Sequence, residues 1–89
     1  MNSSGNWLVS VDSSIYKAIG RFPRKDAERI LGALSQLATD PYQGDTGKLG
    51  GKERLWRRRV GSYRIFYLID VQARRIDVSE VERRGSKTY

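Results

Sequence analysis

Four arginines crowd one stretch of this sequence: Arg57-Arg58-Arg59 before Gly61-Ser62, and Arg64 just after it. Guanidinium forks match phosphate oxygens in a bidentate way and keep their charge, so this spacing points to recognition of a polyanion. The chain has neither histidine nor cysteine. That excludes Ser-His-Asp triads, Cys-His pairs, paired-histidine ribonuclease chemistry, thiolate metal sites and disulfide frameworks. Acid–base work is left to Tyr, Lys, Arg, Asp or Glu, and the residues call for no cofactor and no metal.

The elements that position these arginines follow from period and punctuation. Gly61-Ser62 suits a two-residue hairpin turn, because glycine tolerates the positive φ that a type II′ turn needs at its first position. A strand over 54–60 then pairs with one over 63–69. Val60 falls opposite Tyr63, Arg59 opposite Arg64, Arg58 opposite Ile65, Arg57 opposite Phe66 and Trp56 opposite Tyr67. Alternation puts Arg57, Arg59, Arg64 and Phe66 on one face. Trp56, Val60, Tyr63, Ile65 and Tyr67 share the other, an apolar face expected to cover helices. Like charges directly opposite cost a few tenths to about 1 kcal/mol. Arg59 facing Arg64 therefore invites an anion between them; splaying into water, or acidic neighbours such as Glu80 or Glu82, would serve as well. Arg58 breaks the alternation and is expected to be structural, its stem along Trp56 and its head at the edge. Trp56 is expected in the core, while Phe66 is open to stacking on a base.

The rest of the chain supplies the support. Residues 7–11 read as a first strand, with Trp7, Val9 and Val11 on one face. Asp12 or Ser13 can cap a short helix running to about Ile19, and Gly20 suits its end. Pro23 precedes a second helix whose core stripe is Ala27, Ile30, Leu31, Leu34 and Leu37, and Asp40-Pro41 ends it. A polar, glycine-rich loop is expected over 39–53, and a last strand from 75 to about 82. The loop is no phosphate-binding loop, since neither Gly-Lys pair has the required spacing or a following Ser or Thr. The expected fold is α+β, in the order β-α-α-β-β-β, with two N-terminal helices on one face of a small, mainly antiparallel sheet. Residues 1–6 read as a flexible lead-in and 7–89 as a single domain.

Charge is segregated along the chain. Residues 1–47 carry five bases and five acids, whereas 48–89 carry twelve bases and five acids, so the whole +7 lies in the second part. A polyanion or an acidic protein is the partner such a distribution suits. No apolar run is long enough to span a bilayer, and the first residues lack the features of a signal peptide, so a cytoplasmic location is expected.

Taken together, these residues resemble the RelE/ParE superfamily of bacterial toxin–antitoxin systems, and within it the RelE-like mRNA interferases. The likeness covers nearly the whole chain. It rests on Asp40-Pro41, on Lys48-Leu49-x-Gly51, and on the run Leu55-Trp56-Arg57-Arg58-Arg59-Val60-Gly61-Ser62-Tyr63-Arg64. It ends with Arg83 and, six residues on, Tyr89. The combination is fairly specific; each piece alone is weak. The resemblance implies ribosome-dependent cleavage of mRNA in the A site, by attack of a ribose 2′-OH on the adjacent phosphorus without metal. It implies Arg59, Arg64, Arg83 and Tyr89 as catalytic residues. Arg59 and Arg64 would clamp the phosphate, Tyr89 would accept the 2′-OH proton, and Arg83 would stabilise the leaving 5′ oxygen. Arg57 would hold the backbone, and Lys52, Arg54, Arg84, Lys87 and Phe66 would join it in contacting RNA. A cognate antitoxin protein is the implied partner beside the ribosome. This sequence has arginine at Arg57 and Arg59, where the enzymes often have lysine, and arginine cannot serve as a base.

Other readings share these residues. A ParE-like toxin that inhibits DNA gyrase without nuclease activity would have the same fold. Basic charge alone would suffice for a nucleic-acid-binding module. A degenerate toxin would keep antitoxin binding only.

Overall fold

The computed structural model describes residues 6–50 and 54–83. The chain forms β1 (Leu8–Val11), α1 (Ser13–Ile19), α2 (Arg24–Thr39), β2 (Thr46–Lys48), β3 (Leu55–Val60), β4 (Tyr63–Asp70) and β5 (Arg75–Arg83). The order is β-α-α-β-β-β-β. This is the expected α+β architecture with one strand more, because Thr46-Gly47-Lys48, inside the expected loop, pairs with β3. The sheet runs β1-β5-β4-β3-β2. β1 lies parallel to β5, and the other pairs are antiparallel.

Local chemistry explains the boundaries. The Asp12 carboxylate accepts the Ser14 backbone N–H at 3.0 Å and the Ser14 hydroxyl as well, which caps α1. Those two bonds, the hydroxyl's first, hold its carboxyl below the usual range. Gly20 ends α1 in an ordinary right-handed conformation at φ −63°, so its freedom is not what stops the helix. α2 starts after Pro23 without a side-chain cap, and Asp26 lies in its first turn, where the helix dipole favours a negative charge. At the other end the Asp40 carboxylate takes the Tyr42 N–H at 3.0 Å, and Pro41 is buried. Gly61 adopts φ +57° while Ser62 does not go positive, the pattern of a type II′ turn.

The core lies between the helices and one sheet face. Ile15, Ile19, Ile30, Ala33, Leu34 and Leu37 come from α1 and α2, and Tyr63, Ile65, Tyr67, Ile69, Ile76 and Val78 from the sheet. The α2 stripe is rotated from expectation: Leu31 is 40% exposed, and Ala33 is buried in its place. Among the described residues, no helix is long and apolar enough to cross a membrane.

Candidate phosphate-binding face

The hairpin register is the one the turn dictates: Arg59 stands opposite Arg64, Arg57 opposite Phe66 and Arg58 opposite Ile65. β4 alternates cleanly, with Tyr63, Ile65, Tyr67 and Ile69 buried under the helices and Arg64 and Phe66 half-buried on the reverse side. Arg57, Arg59, Arg64 and Phe66 thus occupy one face, which the helices leave open.

Two carboxylates complete the central row. Arg59 donates its backbone N–H to the Asp45 carbonyl at 2.9 Å, and its Nη1 lies 3.8 Å from Asp45 Oδ2. On the other side, Arg64 Nη1 lies 3.8 Å from Glu82 Oε1. Three strands and the residue before β2 therefore present Asp45, Arg59, Arg64 and Glu82 side by side. The like-charged pair is relieved from both flanks, but by loose contacts between partly exposed groups, which contribute little each. In the next row Gly47 faces Arg57 across the β2–β3 pair. A Cβ at Gly47 would meet Arg57 Nη2 at 3.0 Å, so the bare glycine lets the guanidinium lie across the edge strand.

Some donors on this face go unused. Arg57 Nη1 and Arg64 Nε are buried and have no hydrogen-bond partner among the described residues. Buried donors are ordinarily paired, so these N–H groups leave hydrogen-bonding capacity unspent beside a cationic cluster. Arg58 Nε is likewise buried without a partner among the described residues, but the rest of that head is used. It turns to the helix side, where its guanidinium bonds the Gln36 side chain and, at 3.5 Å, the Ala33 carbonyl. Its head is anchored on α2 rather than lying loose at the edge.

Arg83 does not join the clamp. A bulge at Ser79 lies in β5, where Tyr67 pairs with Val78 but Phe66 already pairs with Glu80. The Ser79 hydroxyl donates to the Phe66 carbonyl at 3.2 Å. This one extra residue inverts the alternation, bringing Glu80 and Glu82 to the arginine face and sending Arg83 to the helix face. There its Cζ lies 5.6 Å from the centre of the Tyr63 ring. The Tyr63 hydroxyl donates to Asp26 at 2.9 Å. Burial, then that bond, push the phenol pKa up, against the pull of Arg83. Trp56 is half-buried against the core, as expected. Arg54 is exposed beyond β3, with Nη1 3.9 Å from Asp70 Oδ2. Tyr89, Lys52, Arg84, Lys87 and residues 1–5 of the expected lead-in lie outside the described residues. Among the described residues no cluster of carboxylates could hold a metal ion. Sequence reasoning missed Asp45 and Gly47, and the only signal for them was their place in an edge strand that the sequence hardly marks.

The family model for the ParE toxin of type II toxin–antitoxin systems matches residues 8–87, which spans every strand and both helices. The chain belongs to this family. No curated protein matches the sequence of this ParE-family toxin. Among solved structures, it resembles a chain of the archaeal RelE–RelB complex from Pyrococcus horikoshii, with 26% identity and a TM-score of 0.77 over 91% of this chain and 98% of that one. The RelBE2 toxin–antitoxin complex of Mycobacterium tuberculosis matches with 18% identity and a TM-score of 0.74 over 88% and 98%. The isolated RelE toxin of E. coli matches with 16% identity and a TM-score of 0.72 over 88% and 84%. At those lower identities the likeness is one of fold. The ParE-family toxin is thus a RelE/ParE-superfamily member in sequence and in architecture.

Proposed function

We propose that this toxin is a metal-independent, ribosome-dependent mRNA endonuclease that cuts in the A site. The observation that carries the reading is the arginine row: Arg59 and Arg64 stand side by side, with Arg57 Nη1 and Arg64 Nε buried and unpaired among the described residues. In the reaction a ribose 2′ oxygen bonds to the adjacent phosphorus as the bond to the 5′ oxygen breaks. The products are a 2′,3′-cyclic phosphate and a 5′-OH end. Negative charge grows on the non-bridging oxygens, and preorganised cations stabilise it most when they need not move. Arg59 and Arg64 supply that charge once the phosphate displaces Asp45 and Glu82, and Arg57 holds the backbone in line.

Tyr89 accepts the 2′-OH proton in this scheme. The 5′ oxygen takes a proton from solvent, since arginine does not release one. Arg83 is assigned the steering of RNA at the open end of β5, where β1 no longer pairs with it. Arg54, Phe66, Lys52, Arg84 and Lys87 add contacts to the nucleic acid. A cognate antitoxin, as in the RelE–RelB complexes of the structural neighbours, would cover the basic face in the cytoplasm.

The test is primer extension on a translated mRNA, with and without ribosomes, for the native chain and for Arg64→Ala and Tyr89→Phe. Ribosome-dependent breaks within codons, lost in the variants, are expected. An intact message in the presence of folded, antitoxin-free protein would overturn the reading. The match to the ParE family model favours a second one, inhibition of DNA gyrase without nuclease activity. It predicts a block in a supercoiling assay and no RNA ends.

A further inference from the structure

A second cleft opens round the sheet edge from the arginine face. It holds about 400 Å³, and Tyr42, Lys48, Arg54, Trp56, Asp70 and Gln72 line it. That size falls within the ~300–1,000 Å³ typical of small-molecule sites. One wall is aromatic, with the Tyr42 and Trp56 rings 5.1 Å apart at 70° and Trp7 packed on the far side of Tyr42 at 6.2 Å. Tyr42 stays 44% exposed. Lys48 is exposed on β2 directly opposite Trp56. Among the described residues, the Arg54 head makes one ion pair, a 3.9 Å contact to Asp70 between exposed groups. Asp70 and Gln72 bring hydrogen-bonding groups to the rim. Rings to stack on, cations beside them and polar groups beyond are what a nucleotide needs, because every base has a π face and every link a phosphate.

The cleft and the clamp lie on opposite faces of the sheet, separated by the edge strand β2. The Arg57 guanidinium lies over Gly47, and the next residue, Lys48, points to the opposite face. The two cations straddle an edge strand only three residues long. A phosphodiester leaving the arginine row can pass from one to the other round that edge.

We propose that this cleft is a nucleotide subsite. It takes one unpaired ribonucleotide of a strand whose backbone runs on round the sheet edge to the arginine clamp. The base stacks on Trp56 with the Tyr42 ring edge-on beside it, and its phosphate meets Lys48 and Arg54. The choice of RNA rests on the endonuclease reading, but the binding step stands apart from cleavage and is tested without it.

Trp7→Phe leaves Trp56 as the sole indole. This chain, and the native one as a control, is titrated with adenosine 5′-monophosphate and with a short single-stranded oligoribonucleotide, following Trp56 fluorescence. Anisotropy of the end-labelled oligonucleotide gives its affinity. Saturable quenching by both ligands is expected. Tyr42→Ala and Lys48→Ala should each weaken the oligonucleotide about fivefold or more, the low end of what loss of one stacked base costs, with circular dichroism unchanged. If millimolar mononucleotide and bound oligonucleotide both leave Trp56 unquenched, the cleft is not a nucleotide site, whatever the clamp does. Quenching by both without any cleavage of translated mRNA keeps the subsite and removes the nuclease reading instead.

Discussion

Arg58 and Arg59 are neighbours in the chain and stand on opposite faces of one hairpin. On the helix side, the Tyr63 hydroxyl is paired with Asp26, the Tyr67 hydroxyl with the Pro41 carbonyl at 2.7 Å, and the Arg58 head with α2. On the open side, the arginines meet carboxylates at 3.8 Å, and two buried donors meet nothing among the described residues. The first face spends most of its polar groups on the fold, although Arg58 Nε is unpaired among the described residues. The second leaves its arginines loosely paired, at some cost to the sheet. Residue type does not separate structural from functional arginine here; strand parity does.

The comparison breaks most easily at its buried side. Ile65 is fully buried, so Ile65→Ala should lower unfolding free energy by about 2–5 kcal/mol in urea denaturation. On the open side, Arg64→Ala should cost about 10²–10³-fold in cleavage of translated mRNA while leaving Tm nearly unchanged. Equal loss of Tm and activity there would erase the distinction between the faces.

Alkali sharpens the contrast. Burial pushes the Tyr67 phenol up to about 12, against an ordinary value near 10. The neutral form is favoured in the fold, so its contribution is complete below about pH 10 and fades as pH rises towards 12. The loss should be on the order of 2 kcal/mol. Tyr67→Phe should flatten that limb of the stability–pH curve. Arg58→Met keeps the stem and removes the bonds to α2; about 1 kcal/mol of stability should go, with oligonucleotide affinity falling by less than for Arg59→Met. The smallest effect belongs to Gly47→Ala. The added methyl pushes a flexible guanidinium, so RNA affinity should drop only a few-fold, about 1 kcal/mol or less by anisotropy, without a change in Tm.

Much of this was legible because a two-residue turn fixes register and a period of two fixes faces. Gly61-Ser62 therefore placed Arg57, Arg59, Arg64 and Phe66 together before any coordinates. The same reasoning could not find β2, since Thr46-Gly47-Lys48 has no apolar alternation and owes its pairing to β3. Without β2, the partnership of Asp45 with Arg59 was invisible. Nor could it find the bulge at Ser79. Strict alternation from Ile76 and Val78 would set Arg83 beside the clamp, and one inserted residue puts Glu82 there. Leu31 misled for a simpler reason: the apolar stripe of α2 is wider than the sheet beneath it, and the groove at that margin stays open.

The parallel pairing of β1 with β5 sets Leu8 against Arg75, near opposite ends of the chain. During synthesis the first strand emerges early and waits for a partner made long after it. β4 meets the same delay, because β5 is its other neighbour, and β5 carries Glu82 to the arginine row. A long-range closure of this kind is slow and comes late in folding. While the ribosome still encloses β5, the sheet is unfinished. Until β5 docks, Arg64 lacks its Glu82 neighbour, so the arginine row takes its final form only when that strand joins the sheet.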